Sequence, residues 1–176
     1  IKRMCDIIAS LIGIILLTPV WIIVAAAVRL NDGGPAFFTQ ERVGLDGTTF
    51  TMIKFRTMRV DAEAMKDSLA EANEADASAG NSIMFKMAND PRITRIGSFL
   101  RKTSIDELPQ LFNVLRGDMS LVGPRPPLPS EVAQYEPRVM GKFAVRPGIT
   151  GLWQISGRSN LSWDETVHLD LSYAQH

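Results

Sequence analysis

The stretch Arg101-Lys-Thr-Ser-Ile-Asp-Glu-Leu-Pro-Gln-Leu-Phe-Asn-Val-Leu-Arg-Gly-Asp118 places two adjacent carboxylates, Asp106 and Glu107, between a cationic run and an apolar helix. Carboxylates that meet arginines in a confined site can attack an anionic group such as a phosphate, or hold a metal ion against it. A second informative segment, the apolar run Ile7–Val28, lies near the N-terminus. Together the two segments indicate phosphate chemistry at a membrane surface.

The composition limits the class of protein to which the chain can belong. With 176 residues it is long enough for one domain with a core of its own. A formal net charge of zero argues against a general nucleic-acid binder, so no nucleic acid is expected as a partner. A single cysteine, Cys5, excludes an internal disulfide and a cysteine-rich metal site. The chain starts at Ile1 and stops at His176 in the middle of a pattern, so we expect a fragment of a longer protein.

Charge is distributed unevenly along the chain. Acidic residues crowd the stretch from Asp61 to Asp76, whereas the stretches 91–105 and 137–163 contain cations and no acid. Such cationic stretches create local fields that suit an anionic ligand. Their cations are Arg92, Arg95, Arg101 and Lys102 in the first and Arg138, Lys142, Arg146 and Arg158 in the second.

The apolar run Ile7–Val28 carries no charge and is long enough to cross a bilayer. About 22 residues at a rise of 1.5 Å each give roughly 33 Å, against a hydrocarbon core of about 30 Å. A plain transmembrane helix is therefore one prediction for this segment.

Pro19 and the charges at both ends of this run favour a different topology. Pro19 lies near the middle, where it removes a backbone hydrogen bond and bends the helix. Lys2 and Arg3 precede the run and Arg29 follows it, so the positive-inside rule assigns no direction. The sharper hypothesis is a helix that breaks at Thr18-Pro19, with both of its ends on the cytoplasmic face.

Turn residues and short apolar runs predict the elements of the soluble part. Asn31-Asp-Gly-Gly-Pro35 closes the membrane segment, and Ala36–Gln40 and Thr48–Phe55 are β-like runs that suggest a hairpin. The run Lys54-Phe-Arg-Thr-Met-Arg59 indicates either an edge strand with a solvated basic face or a face that meets a ligand. Helices are predicted at Val60–Ala77, Ile93–Leu100, Leu108–Leu115 with a stop at Gly117, Ser130–Met140, and Ser162–Tyr173 with a capping box from Ser162 to Glu165.

Asp106 and Glu107 have two explanations on spacing alone. The run Ser104-Ile-Asp-Glu107 fits a helix capping box, although Pro109 indicates a later helix start. Alternatively, both carboxylates address one phosphoryl centre, one as nucleophile and the other as metal ligand or base, while Arg101 stabilises the phosphate oxygens. Two carboxylates without cysteine or histidine partners suit Mg²⁺, so Asp106 and Glu107 are the candidate metal ligands.

Three arginines outside this stretch are candidate contacts for a diphosphate or a nucleotide. Arg125 lies in the proline-rich run Gly123–Pro129, which is stiff and extended and therefore holds the side chain nearly immobile. Arg146 and Arg158 bracket a loop punctuated by glycines. Trp153, within this loop, either stacks on a base or belongs to the core.

Several ordered motifs resemble those of the bacterial sugar transferases, also called monotopic phosphoglycosyl transferases, and the similarity runs from Lys2 to about Tyr173. The motifs are Lys54-Phe-Arg-Thr-Met58, Asp90-Pro-Arg92, Arg101-Lys-Thr-Ser-Ile-Asp-Glu-Leu-Pro-Gln-Leu111, Gly117-Asp-Met-Ser-Leu-Val-Gly-Pro-Arg-Pro126 and Arg146-Pro-Gly-Ile-Thr-Gly-Leu-Trp-Gln154. The resemblance implies transfer of a sugar-1-phosphate from a UDP-sugar to a polyprenyl phosphate, usually undecaprenyl phosphate. This reaction begins the lipid-linked synthesis of surface polysaccharides and glycoconjugates.

The resemblance also implies roles for individual residues. Asp106 matches the aspartate that forms a covalent phosphosugar intermediate as UMP leaves, and Glu107 matches its partner, associated with Mg²⁺. Arg101 matches a phosphate-binding arginine, and Thr18-Pro19 takes the place of the break that makes the family's membrane helix re-entrant. Further candidate phosphate contacts are Lys54, Arg56, Arg125, Arg146 and Arg158.

The expected fold class is α+β, mostly helical with a small β-hairpin. We expect residues 1–30 to form a re-entrant, proline-broken membrane helix packed on a cytoplasmic catalytic domain of residues 31–176, truncated at its C-terminus. The resemblance places the protein at the cytoplasmic face of the bacterial inner membrane, with a UDP-sugar, undecaprenyl phosphate and the bilayer as partners, and leaves a homodimer open. Two rival functions remain: a non-catalytic membrane scaffold of the same fold and a phosphohydrolase that works through an aspartyl phosphate. The sequence does not identify the sugar.

Overall fold

The structure is a computed structural model that describes residues 1–62, 64–65, 90–156 and 161–175. A long N-terminal helix lies along a smaller α+β unit, so the described part agrees with the predicted mostly helical class. The helices are α1 (Lys2–Asp32), α2 (Arg95–Thr103), α3 (Gln110–Arg116), α4 (Pro129–Val132), α5 (Leu152–Ile155) and α6 (Trp163–Gln175). The strands are β1 (Phe37–Val43), β2 (Thr49–Phe55), β3 (Ser120–Val122) and β4 (Gly148–Thr150), and 3₁₀ turns cover Leu45–Gly47, Ile105–Glu107 and Pro137–Ala144.

Helix α1 is the one helix of the described ranges that is long and apolar enough to cross a membrane. Its backbone is helical on both sides of Pro19, and the Thr18 hydroxyl donates a 2.7 Å hydrogen bond to the Ile14 carbonyl. The helix ends where the turn signal predicts, because Gly33 adopts a left-handed φ of 72° and its N–H caps Arg29. The predicted break at Thr18-Pro19 is not confirmed, because α1 continues as one helix through Pro19. The predicted return of this helix into one leaflet stays a prediction.

One face of α1 is exposed and strongly apolar. A hydrophobic face of this size is not stable in water and indicates contact with lipid. The exposed side chains are Ile7, Ile8, Leu11, Ile12, Ile15, Leu16, Val20, Ile22 and Ile23.

The opposite face of α1 packs on the rest of the chain. A buried cluster contains Trp21, Val24 and Val28 of this face together with Phe55, Leu100 and Leu111. This cluster joins α1 to β2, α2 and α3.

Polar contacts hold both ends of α1 against the same α+β unit. At the N-terminal end, Arg3 donates hydrogen bonds to the carbonyls of Val114 (2.7 Å) and Leu115 (3.1 Å) at the C-terminus of α3. At the other end, Asp32 forms an ion pair with Arg56, with 3.1 Å between Oδ2 and Nη1.

The predicted hairpin is confirmed. Strands β1 and β2 pair antiparallel from Phe37↔Phe55 to Val43↔Thr49. The connection contains the predicted glycine turn, in which Gly47 has a positive φ of 74°. Strand β1 runs three residues beyond the predicted end at Gln40, because residues 49–51 of β2 supply pairing partners for residues 41–43.

A second sheet, the parallel pair β3–β4, was not predicted. Each strand is only three residues long, so no periodic signal marks it. The pairing brings two glycines into contact, since a Cβ at Gly148 would lie 2.1 Å from the backbone nitrogen of Gly123.

The predicted capping box at Ser104 is wrong. Ser104 has a left-handed φ of 58° and caps the C-terminus of α2, so its hydroxyl makes no helix-capping hydrogen bond. Asp106 and Glu107 lie on the 3₁₀ turn Ile105–Glu107, and α3 begins only after Pro109, the later start that Pro109 indicated.

The predicted core face of α3 is partly wrong. Leu111 is buried as expected, but Phe112 is 41% exposed and packs on Trp21 at a ring-centroid distance of 5.2 Å. The fully buried side is formed by Asn113 and Val114. Asn113 is buried because its amide binds the β2 backbone, donating to the Thr51 carbonyl at 2.7 Å and accepting from the Ile53 N–H at 3.1 Å.

The remaining element predictions have mixed outcomes. The Ser162–Glu165 capping box is confirmed, since the Glu165 carboxylate accepts the Ser162 N–H at 2.8 Å and the Ser162 hydroxyl accepts the Glu165 N–H at 3.3 Å. The helix predicted from Ile93 begins at Arg95, after a Thr94 cap. The helix predicted at Ser130–Met140 is a short turn, α4, followed by a 3₁₀ segment. Most of the helix predicted at Val60–Ala77 lies outside the described residues.

Gly97 offers a test of the packing between α2 and the end of β2. A Cβ at this position would lie 1.9 Å from the backbone carbonyl oxygen of Thr57, which cannot move aside like a side chain. We expect Gly97→Ala to lower the free energy of unfolding by about 1–3 kcal/mol, measured by thermal unfolding in detergent. Ser98→Ala, an exposed change in the same helix, is the control; equal stability of the two variants would contradict this packing.

Candidate active site

A cavity of about 400 Å³ lies between the β1–β2 hairpin, the turn that joins α2 to α3, and helix α5. Five residues that the sequence analysis selected line this cavity, which we call the Asp106 pocket: Lys54, Arg56, Arg101, Asp106 and Glu107. Other lining residues are Phe38, Gln40, Arg42, Thr57, Met58, Ser104, Trp153 and Gln154.

Asp106 and Glu107 are neighbours in sequence but differ in environment. Asp106 is only 8% exposed, and no side chain in the described part of the chain donates a hydrogen bond to its carboxylate or forms an ion pair with it. Burial raises the pKa of Asp106, Lys54 and Arg101 act in the opposite direction, and Glu107 adds to the increase. Glu107 is more exposed and accepts a 3.1 Å hydrogen bond from Lys54 Nζ. The pocket therefore contains one uncommitted carboxylate and one that is already paired.

Two cations of the pocket are held by contacts of different kinds. Arg101 Nε donates a 2.9 Å hydrogen bond to the Thr57 hydroxyl, a neutral acceptor, and partial desolvation lowers the pKa of Arg101. Arg56 is buried and paired with Asp32 of α1. Arg101 is consequently available to an anion, whereas Arg56 connects the pocket wall to the membrane helix.

The first part of the basic run Lys54–Arg59 faces the pocket, which agrees with the second of its two sequence interpretations, whereas its last cation, Arg59, is exposed and paired with Asp61. Lys54 and Arg56 both line the cavity, as expected for alternate residues of an extended chain. Trp153 also lines the cavity, so it is not a residue of the central core. Whether it stacks on a base stays a prediction.

Two predicted arginine contacts, Arg125 and Arg146, are not brought into the pocket. Arg125 is bound to the Glu131 carboxylate, with 3.0 Å between Nη1 and Oε2. Arg146 Nε donates to the Gly117 carbonyl at 2.8 Å and lines a separate cleft of about 870 Å³ together with Lys2 and Arg3. Arg158 lies outside the described residues.

Arg42 and Gln40 line the pocket but were missed in the sequence analysis. Strand β1 was predicted to end at Gln40, which left Arg42 outside the predicted strand. In the observed register Phe38 lies opposite Lys54, so Gln40 and Arg42 follow on the same sheet face by the two-residue period. An extension of the predicted strand by two residues would have placed Arg42 on the same face as Gln40.

The donor set agrees with a magnesium ion only if substrate oxygens complete it. In the ranges that the structure describes, no three His, Cys, Asp or Glu side chains are grouped as a metal site. Mg²⁺ commonly binds one or two carboxylates, with waters and phosphate oxygens as the other ligands. Asp106 and Glu107 meet this smaller requirement.

The charges around Asp106 lead to a pH-dependent prediction. Lys54 is the larger of the two positive influences on Asp106, so Lys54→Gln should raise the pKa of Asp106 further, and Arg101→Gln should raise it less. A carboxyl ¹³C NMR titration measures the pKa of Asp106 in each variant. The Asp106 carboxyl signal is assigned by its loss in Asp106→Asn. Lys102→Gln is the matched control, and an unchanged or lower pKa in Lys54→Gln would contradict this geometry.

Comparison with known proteins agrees with the resemblance seen in the motifs. Residues 1–176 match the family described as bacterial sugar transferase. The chain is 51% identical over 98% of its length to the galactosyl transferase CpsE of Streptococcus agalactiae, of which it covers 37%. It is 46% identical over 100% of its length to the undecaprenyl-phosphate galactose phosphotransferase of Salmonella typhimurium, again covering 37%. It is 43% identical over 89% of its length to the UDP-glucose:undecaprenyl-phosphate glucose-1-phosphate transferase of Klebsiella pneumoniae, covering 31%. The chain thus spans well under two thirds of these relatives, and it belongs to the bacterial sugar transferase family.

Proposed function

We propose that this chain transfers a sugar-1-phosphate from a UDP-sugar to undecaprenyl phosphate, with release of UMP, through a covalent phosphosugar on Asp106. The observation that carries the proposal is the buried, uncommitted Asp106 carboxylate in a cavity that also contains Lys54 and Arg101. The names of the relatives support the substrate classes, since they include a galactose and a glucose phosphotransferase that act on undecaprenyl phosphate.

The environment of Asp106 suits a nucleophile. Burial removes water from the carboxylate, and a less solvated oxygen is easier to bring against phosphorus. Lys54 and Arg101 favour the ionised form and would bind the oxygens of the incoming phosphate. Glu107 is less suitable as the attacking group, because its carboxylate is already paired with Lys54.

Each half of the reaction makes one bond to phosphorus and breaks another. In the first half, an Asp106 oxygen attacks the phosphorus that carries the sugar, and UMP leaves with the electron pair of the broken P–O bond. In the second half, an oxygen of undecaprenyl phosphate attacks the same phosphorus, and the bond to Asp106 breaks, which restores the carboxylate. Mg²⁺, held by Asp106 and Glu107, would neutralise part of the charge on the phosphate oxygens.

The proposal includes a location at the cytoplasmic face of the bacterial plasma membrane, with α1 entering and leaving the same leaflet. A helix of 31 residues is about 46 Å long, so a perpendicular orientation would put its ends on opposite sides of a bilayer. Its two ends instead contact one α+β unit, through Arg3 and through Asp32. A helix that lies within one leaflet agrees with these contacts and keeps the pocket near the lipid-borne acceptor.

Two other functions make different predictions. A scaffold of the same fold would function equally well after Asp106→Asn. A phosphohydrolase would release free sugar phosphate from a UDP-sugar without any polyprenyl acceptor. Neither accounts for the exposed apolar face of α1 beside a cationic pocket.

Intact-mass measurement of the detergent-solubilised protein tests the covalent step. With Mg²⁺ and a panel of UDP-sugars but no acceptor, we expect the wild-type protein to gain the mass of one sugar phosphate, with one UMP released per adduct. Asp106→Asn should give no adduct, because an amide is a poor nucleophile. The donor that produces the adduct identifies the sugar.

Asp61→Asn is the matched control, since Asp61 is exposed and paired with Arg59 away from the pocket. This variant should form the adduct as the wild-type protein does. UMP release that depends on undecaprenyl phosphate, without any adduct, would contradict the covalent step and favour direct transfer. Sugar phosphate released without acceptor would identify a phosphohydrolase.

A further inference from the structure

We infer that Arg42 is a phosphate-binding residue of the Asp106 pocket, where its guanidinium binds a phosphate oxygen of a substrate. The inference deepens the proposed function and rests on it. It assigns a role to a side chain that the motif resemblance did not select.

The Arg42 guanidinium has hydrogen-bond donors that no protein acceptor in the described ranges uses. A guanidinium has five N–H donors and no acceptor. Arg42 is only 9% exposed and lines the pocket that contains Asp106. Its Nη1 donates to the Pro126 carbonyl at 3.1 Å and its Nη2 to Gln40 Oε1 at 2.6 Å. Its Nε is buried and has no acceptor in the described part of the chain. Donors therefore remain for a ligand.

The positive charge of Arg42 is not neutralised by its own hydrogen-bond acceptors. Both of its acceptors are neutral, and a buried cation without a hydrogen-bonded carboxylate is costly. The pKa of Arg42 is lowered to about 10. Burial is the larger cause, and the positive charge of Arg125 adds to it. Arg42 is still protonated at neutral pH.

Glu131, the carboxylate with the largest effect on Arg42, does not compensate both arginines. Glu131 is 4% exposed and accepts hydrogen bonds from Arg125 at 3.0 and 3.3 Å and from the Leu128 N–H at 2.8 Å. The other carboxylate that acts on Arg42 is Glu107, which is paired with Lys54, so both carboxylates are already bound to other cations. A surplus positive charge remains beside the pocket, and an anionic ligand would balance it.

The two residues that hold the Arg42 guanidinium lie on rigid parts of the backbone. Pro126 lies in the extended proline-rich run 123–128, and Gln40 lies on the paired strand β1. Both acceptors hold the planar guanidinium in a fixed orientation, which reduces the entropy lost when a ligand binds. The flat fork of arginine matches two oxygens of one phosphate group. That group belongs either to the diphosphate of the nucleotide donor or to the polyprenyl phosphate.

Calorimetric titration of the detergent-solubilised protein separates the two sources. Wild-type protein and Arg42→Gln are titrated with UDP and, separately, with undecaprenyl phosphate in the same detergent. We expect Arg42→Gln to weaken the binding of at least one ligand about tenfold or more, as for the loss of a hydrogen bond to a charged group. Arg138→Gln is the matched control, because Arg138 is exposed and paired with Glu136 and Asp164.

Each result has a defined meaning. Weaker binding of UDP alone assigns Arg42 to the donor, and weaker binding of undecaprenyl phosphate alone assigns it to the acceptor. A folded Arg42→Gln protein that binds both ligands like the wild type overturns the inference and leaves the proposed function intact. Binding of neither ligand by the wild-type protein overturns both.

A second measurement covers the case in which Arg42→Gln does not fold. In wild-type protein labelled with ¹⁵N-arginine, the Arg42 Nε signal, assigned by its loss in Arg42→Lys, should shift when the bound ligand is added. A signal that stays in place at saturating UDP and undecaprenyl phosphate contradicts a phosphate contact and leaves Arg42 as a structural side chain.

Discussion

The contacts that tie both ends of α1 to one α+β unit determine where the candidate site lies relative to a bilayer. Arg3 satisfies carbonyls at the C-terminus of α3, the helix that follows the Asp106–Glu107 turn. Asp32 is paired with Arg56, which lines the Asp106 pocket. Between these two points the buried face of α1 packs on β2, α2 and α3, while the other face is apolar and exposed. The lipid-facing helix and the pocket are therefore parts of one packed structure.

The pocket combines cations that are already neutralised with cations that are not. Arg56 is paired with Asp32 and Lys54 with Glu107, so these pairs fix the pocket wall. Arg101 and Arg42 instead donate to neutral oxygens: the Thr57 hydroxyl for Arg101, and the Pro126 backbone carbonyl and Gln40 Oε1 for Arg42. Their charge is left for a ligand, and both lie in the cavity that contains the buried Asp106. This arrangement suits a substrate with several negatively charged oxygens.

The features that could be predicted from sequence are those with a local cause. Turn glycines and alternating strands predicted the hairpin, and the Ser162–Glu165 spacing predicted the start of α6. Features set by tertiary contacts could not be predicted. Ser104 looked like a helix N-cap but ends α2 in a left-handed conformation, and Asn113 is buried because its amide binds β2. The three-residue strands β3 and β4 carry no periodic signal.

The same distinction applies to the site. Asp106, Glu107, Lys54 and Arg101 were identified from their motifs, and the fold brings them into one cavity. Arg125 and Arg146 looked equally suitable in sequence, but their partners, Glu131 and the Gly117 carbonyl, are visible only in three dimensions. Arg42 was missed because the predicted strand was too short by three residues.

The sidedness of the two ends of α1 is the measurement to make first. Cys5 is the single cysteine of the chain and is exposed near one end. Asn31→Cys in a Cys5→Ser background marks the other end, which is also exposed. A membrane-impermeant maleimide is applied to sealed right-side-out and inverted membrane vesicles that contain either protein. We expect both cysteines to react only in inverted vesicles, because both ends of α1 contact the same α+β unit, which we propose lies on the cytoplasmic side. Reaction of Cys5 and Cys at position 31 from opposite sides would show a helix that spans the bilayer and would contradict this arrangement.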